Sequence, residues 1–209
     1  MSKKLSYSEI VSFRSKVSEK FPKPIRKPRM WKDYPTTGPV LNFGSGKKDG
    51  AHNLELLHYY QEVFCCDSDP NSGADFSSIE EVDSKFSLII AEHVLEHVET
   101  NYFVHELSKR FYDLLLDDGK LIITVPNMYC YGVFFSDFDH KNICGHLDMA
   151  CIMCARNLQI SDYFLWSKIK YMNLQNNFSD TEKFIESFIE KHYGLQTDRY
   201  VTLVFQKNG

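Results

Sequence analysis

No stretch of this 209-residue chain approaches the ~18 consecutive apolar residues that a membrane-spanning helix needs. The opening residues Met1-Ser2-Lys3-Lys4-Leu5-Ser6 lack the apolar core of a secretory signal, so a cytoplasmic protein is expected. Internal repeats and low-complexity tracts are also missing, which argues against solenoids and disordered segments. Cysteines number six, and two of them, Cys65 and Cys66, are adjacent within an apolar run. They read as small buried hydrophobes in a reducing compartment rather than as a disulfide framework. What is present is a 43% hydrophobic chain, long enough for one α/β domain with a full core and too short for two.

The net charge of −4 hides an asymmetry. Residues 1–35 carry ten Lys or Arg against three acids, a net of +7, whereas the remainder carries 14 basic and 25 acidic residues, a net of −11. The division is therefore a basic N-terminal helix and linker over 1–35 and a main domain over 36–209. The arm reads either as a grip on an anionic partner or as a solvated helix packed on the acidic body.

Residues 6–20 have helical spacing, with Ile10, Phe13 and Val17 on one stripe and Ser6 or Ser8 as candidate caps. Pro22, Pro24 and Pro28 then forbid a helix. Beyond them the pattern predicts strands at 39–43, 62–67, 86–91 and 119–125. Helices are predicted at 51–60 and 100–116, with a short turn at 77–82. Strands alternating with helices imply a mostly parallel, doubly wound sheet covered on both faces. After Pro126 a helix at 146–157, an apolar stretch at 160–171, a helix at 180–192 and a strand at 199–206 complete the pattern.

The run Val40-Leu-Asn42-Phe-Gly44-Ser45-Gly46 enters a glycine turn, and Asp67 closes the next apolar run. Such a layout suits a nucleoside: glycines let backbone approach the ligand, and a carboxylate roughly 20 residues on takes the ribose hydroxyls. A nicotinamide-binding fingerprint needs a third glycine three residues after the second, and that position is Asp49. Two further strand ends reach the same sheet edge, one at Ala91-Glu92-His93-Val94-Leu95-Glu96-His97-Val98 and one at Val125-Pro126-Asn127.

Together these three segments resemble the class I S-adenosylmethionine-dependent methyltransferases, and the His-Val-Leu-Glu-His phrase is close to one found in their small-molecule and glycan-modifying, type 11-like branch. The resemblance covers about residues 38–127. It implies a Rossmann-like, seven-stranded-type sheet, here shortened, because 18 residues between Asp67 and Phe86 leave too little room for a full strand-helix unit. It also implies S-adenosylmethionine as cofactor. Gly44, Ser45 and Gly46 would line its methionine and ribose end, and Asp67 would bind the ribose. Asp75 and Phe76 match the pair that meets the adenine. Glu92 and His93 would flank the methionine moiety, and Asn42 stands where these enzymes usually place an acid for the methionine amino group.

A hydroxyl acceptor must lose a proton, and His is the usual instrument near neutral pH. Two regions offer one: His97 beside His93 and Glu96, and the Asp139-His140 pair, which follows an aromatic stretch at 129–135. The His93-x-x-Glu96-His97 string with His140 also resembles, in ligand types and rough spacing, the metal site of small-RNA 3′-end 2′-O-methyltransferases, and Cys151-x-x-Cys154 has zinc-like spacing. His93 stands where those enzymes place a first Glu, and the cysteines fall in a helical pattern, so no metal is expected. The expectation is methyl transfer to a hydroxyl of a sugar, sugar nucleotide or related metabolite. Alternatives are an RNA acceptor held by the basic arm, and a non-catalytic partner subunit. The Asn/Asp-Pro-Pro-aromatic motif of amino-methylating enzymes is absent at the 91–94 edge.

Overall fold

A computed structural model describes residues 5–20, 31–128, 130, 137–142, 144–166 and 199–209. The linker prolines, the aromatic approach at 131–135 and the predicted helix at 180–192 lie outside these residues. Six strands form one sheet: β1 (Val40–Phe43), β2 (Val63–Cys66), β3 (Phe86–Glu92), β4 (Leu115–Pro126), β5 (Leu158–Trp166) and β6 (Tyr200–Lys207). Their order is β2-β1-β3-β4-β6-β5, and β6 alone runs against the others. The order reverses after β1, where the chain crosses to β3, and open α/β sheets bind ligands at such a point.

Alternation along the strands explains why they are apolar throughout. Leu88 and Ile90 pack with Leu56, Tyr60 and Trp31 on one face, while Ile89 and Ala91 join Phe103, Phe111 and Leu121 on the other. α2 (Ala51–Tyr59) belongs to the first layer. The second is built from α3 (Thr100–Tyr102), a π-helical segment (Phe103–Leu107) and α4 (Ser108–Leu114), joined by α5 (His146–Ala155). The π segment departs from the regular helix expected at 100–116. Its carbonyls are met by the buried Arg156, which donates to Val104 O and His105 O at 3.0 Å each and to Ser108 Oγ at 3.1 Å.

α1 (Tyr7–Lys20) begins with a capping box: Glu9 N–H donates to Ser6 Oγ at 3.2 Å, and Ser6 N–H donates to Glu9 Oε2 at 2.8 Å. Its stripe Ile10, Phe13 and Val17 packs on the core, and Arg14 lies 3.9 Å from Asp148 on α5. The described part of the basic arm is thus docked on the acidic body.

The expected shortening is visible after β2. A full outer strand is replaced by one bridge, Cys66 to Phe76, supported by Asp67 N–H to Phe76 O at 3.1 Å and Phe76 N–H to Cys65 O at 3.1 Å. An Asp118-Gly119 turn lies inside β4, ahead of the strand expected at 119–125. Leu115 pairs with Phe86 and Lys120 with Leu88, so residues 116–119 loop out, with Asp118 at φ +62°. No helix among the described residues is long and apolar enough to cross a membrane.

His146, at the start of α5, stacks on Tyr163 with ring centroids 5.3 Å apart, and its Nε2 lies 3.2 Å from the Tyr163 hydroxyl. Burial pushes its pKa down to about 4, against a smaller opposing pull from Asp148. The unfolded chain binds this proton near pH 6.5 and the folded chain only near 4. Stability is therefore full above about pH 6.5 and falls between 6.5 and 4. Replacing His146 with Phe should flatten that part of the curve in urea titrations at stepped pH.

Candidate active site

The carboxyl ends of β1, β2 and β3 meet around a cleft of about 290 Å³. The glycine turn after β1 folds onto β2: Gly44 N–H and Ser45 N–H both donate to Cys66 O, at 2.8 and 3.2 Å. Gly44 has φ +71°, and a Cβ there would stand 2.4 Å from Val94 Cγ2. Gly46 has φ +60° with nothing within 4 Å of the same position, so its bare backbone opens onto free space. Glycine is thus required for contact at the first position and gives access at the second.

Asp67 sits just past β2. Its Oδ2 accepts from Gly46 N–H at 2.6 Å and its Oδ1 from Asp69 N–H at 2.9 Å. Each oxygen keeps a further lone pair for a ligand hydroxyl. The cleft wall continues through Ser77, Ser78, Ile79, Glu80, Val94, Val98 and Tyr102. Burial draws the Glu80 carboxyl up, but hydrogen bonds from Ser78 and the Tyr102 hydroxyl outweigh it and hold it below the usual carboxylate range. Burial and Glu80 together push the Tyr102 phenol up. The wall therefore carries two carboxylates, Asp67 and Glu80, and no Lys or Arg among its described residues. Glu80 and Tyr102 carry no motif; their pairing across 22 residues appears only in the fold.

Other predicted cofactor residues hold the frame around the cleft. Asn42 is buried, and its Nδ2 donates to Asn53 Oδ1 at 2.7 Å. Asn53 in turn donates to Ser45 O at 3.0 Å and Lys47 O at 2.8 Å, fixing the glycine turn from below. Asn53 escapes sequence reading because a lone Asn in a helix carries no pattern. Asp75 accepts from Cys65 N–H at 2.9 Å and pairs with Lys48. Burial alone would raise its carboxyl, but those bonds hold it low. Phe76 packs on Phe64, with centroids 6.2 Å apart. Glu92 lies 3.6 Å from His52 Nε2.

The two regions that could assist an acceptor prove to be one place. A short turn, Leu95–His97, follows β3, and the backbone carbonyl of Glu96 accepts from Lys141 N–H at 2.7 Å and Asn142 N–H at 3.0 Å. That clamp brings the 137–142 loop onto the turn. His97, on the cleft wall, has Nδ1 3.3 Å from both the carbonyl and the Oδ2 of Asp139, and its ring centroid lies 5.1 Å from that of His140. His93 adopts φ +53° with Nδ1 3.4 Å from Glu96 Oε1, and its ring meets Tyr200 edge-on at 5.1 Å. Side-chain ligand atoms of Glu96, His97 and His140 lie within 4.8 Å of one another.

Solved structures share this fold. A methyltransferase of Archaeoglobus fulgidus, described as SAM dependent, superposes with a TM-score of 0.61 at 15% identity, over 95% of this chain and 94% of that one. The fold is that of the class I methyltransferases. N-methyltransferase NodS of Bradyrhizobium japonicum matches at 0.57 and 10% identity, over 98% and 99% of the two chains. The cyclopropane synthase MmaA2 of Mycobacterium tuberculosis matches at 0.56 and 11%, over 83% and 79%. No protein-family model and no curated protein sequence matches the chain. Methyltransferase folds with such different acceptors show that the acceptor has to be argued from this chain's own cleft.

Two substitutions test the frame. Gly44→Ala should cost about 1–3 kcal/mol from its backbone alone, with the Val94 clash in addition. Asn53→Ala should cost about 1–3 kcal/mol by orphaning buried partners. Urea unfolding of both, with Gly46→Ala as the clash-free comparison, reads these values directly.

Proposed function

We propose that this protein is an enzyme that transfers the methyl group of S-adenosylmethionine to a hydroxyl of a small acceptor, such as a sugar, a sugar nucleotide or a related metabolite. A cytosolic setting suits its six free thiols. The observation that carries the reading is the charge of the cleft: Asp67 and Glu80 face it, and no described cation does. A pyrophosphate-bearing nucleotide would meet uncompensated like charge there. S-adenosylmethionine is a nucleoside with a net positive charge and no phosphate, and it fits.

Within that fit, Asp67 supplies lone pairs to the ribose hydroxyls, and Gly46 lets backbone approach without a Cβ in the way. Ile79, Val98 and Tyr102 offer the apolar surface that an adenine needs. When bound, the cofactor supplies a methyl group on a sulfonium with a good leaving group. The chain's own task is then alignment, and proximity alone supplies roughly 7–11 kcal/mol. The acceptor hydroxyl must also give up a proton, and the cluster of His97, Asp139, Glu96 and His140 is the part of the site equipped to assist.

Calorimetric titration with S-adenosylmethionine and S-adenosylhomocysteine tests the reading. Micromolar binding is expected, lost in Asp67→Ala while the circular dichroism of the variant stays native. Absence of binding to the native protein would overturn the cofactor assignment.

A further inference from the structure

The two oxygens of the Glu96 carboxylate have unequal company. The residue is 2% exposed; Oε1 lies 3.4 Å from His93 Nδ1, but Oε2 is buried with no hydrogen-bond partner. A buried carboxylate oxygen without a donor is costly, and Lys141, whose N–H meets the Glu96 carbonyl, sends its ammonium to Asp139 Oδ1 at 3.3 Å. What the fold gathers at Glu96 is a pair of imidazoles, with ligand atoms of Glu96, His97 and His140 all within 4.8 Å of one another. His97 also has the outer partner that a ligating histidine needs. With its Nδ1–H directed at Asp139, 3.3 Å away, its lone pair is held at Nε2.

We propose that Glu96, His97 and His140 bind one divalent transition-metal ion. Two imidazoles and one carboxylate suit Mn²⁺, Fe²⁺, Co²⁺ or Zn²⁺ better than Mg²⁺ or Ca²⁺, which prefer all-oxygen shells. Small side-chain rotations bring such ligand atoms to about 2.0–2.2 Å from an ion. The geometry favours a metal that the sequence alone did not favour, and it leaves His93 out, since that ring is engaged by Glu96 Oε1 and Tyr200. Three protein ligands leave coordination positions open, and His97 puts the ion beside the cleft. An acceptor hydroxyl entering such a position becomes more acidic, so that its proton passes to solvent water without a free imidazole as base. That last role rests on the methyl-transfer reading; the site itself does not.

Co²⁺ titration of the metal-stripped full chain, followed by visible absorption, tests the site, with calorimetry of S-adenosylhomocysteine run alongside. One equivalent should bind. Affinity should fall at least about tenfold in His140→Ala and in the near-isosteric Glu96→Gln, and by about 10–100-fold in Asp139→Asn. His93→Gln should retain affinity within about twofold. Absence of saturable Co²⁺ binding, or binding that survives both His140→Ala and Glu96→Gln, would overturn the proposal. Co²⁺ binding without S-adenosylhomocysteine binding would sink the methyl-transfer reading and leave the metal site standing, and the converse result would do the opposite.

Discussion

The backbone of Gly44 rests against the side chain of Val94, and the site depends on that contact. Val94 Cγ2 occupies the space a Cβ would need at residue 44. Its own carbonyl accepts the His97 N–H at 3.1 Å and so begins the turn that carries Glu96 and His97. The glycine turn and the histidine turn therefore share one support. A shift in either moves the other, which keeps the two turns in fixed relation without a hinge between them. Close packing makes such a joint stiff, because an interior without voids transmits displacement rather than absorbing it.

Much of the sheet was legible because its signals are local. Apolar runs marked β1 to β4 and β6 within a few residues, and the 18-residue gap after Asp67 announced a lost strand that the single Cys66–Phe76 bridge now represents. The π segment was not legible, since the side chain that meets its carbonyls, Arg156, lies about fifty residues away. The site divided in the same manner. Gly44, Gly46, Asp67 and His97 follow from position at a strand end. The union of His97 with Asp139 and His140 follows from two N–H groups on the Glu96 carbonyl, and backbone bonds of that kind leave no residue-type signature. Asn42 shows the opposite case: its place in the motif suggests ligand contact, while its Nδ2 also donates to Asn53 Oδ1 within the core, a partner that the motif does not announce.

Electrostatics divides the candidate ligands more sharply than shape does. Carboxylates at Asp67 and Glu80 leave one end of the cleft negative. Across the cleft, Glu96 is the buried acid, and His97 and His140 bring two imidazoles to it. A cation between them would make the acceptor end the positive one. The cleft would then hold opposite signs at its two ends, a field that orients a charged donor and a polar acceptor before either touches the wall.

Loss of the outer strand leaves β2 as the sheet's margin, and a bare margin is a template for pairing with other chains. Here two residues stand guard in place of a strand. The Asp75 carboxylate takes the Cys65 N–H, and the Asp75 and Phe76 N–H groups take the Cys65 carbonyl at 2.9 and 3.1 Å. The paired Lys48 adds a charge at the same border. Asp75, expected from sequence at the adenine, thus also caps the open edge of β2, where an unpaired backbone would invite edge-to-edge pairing.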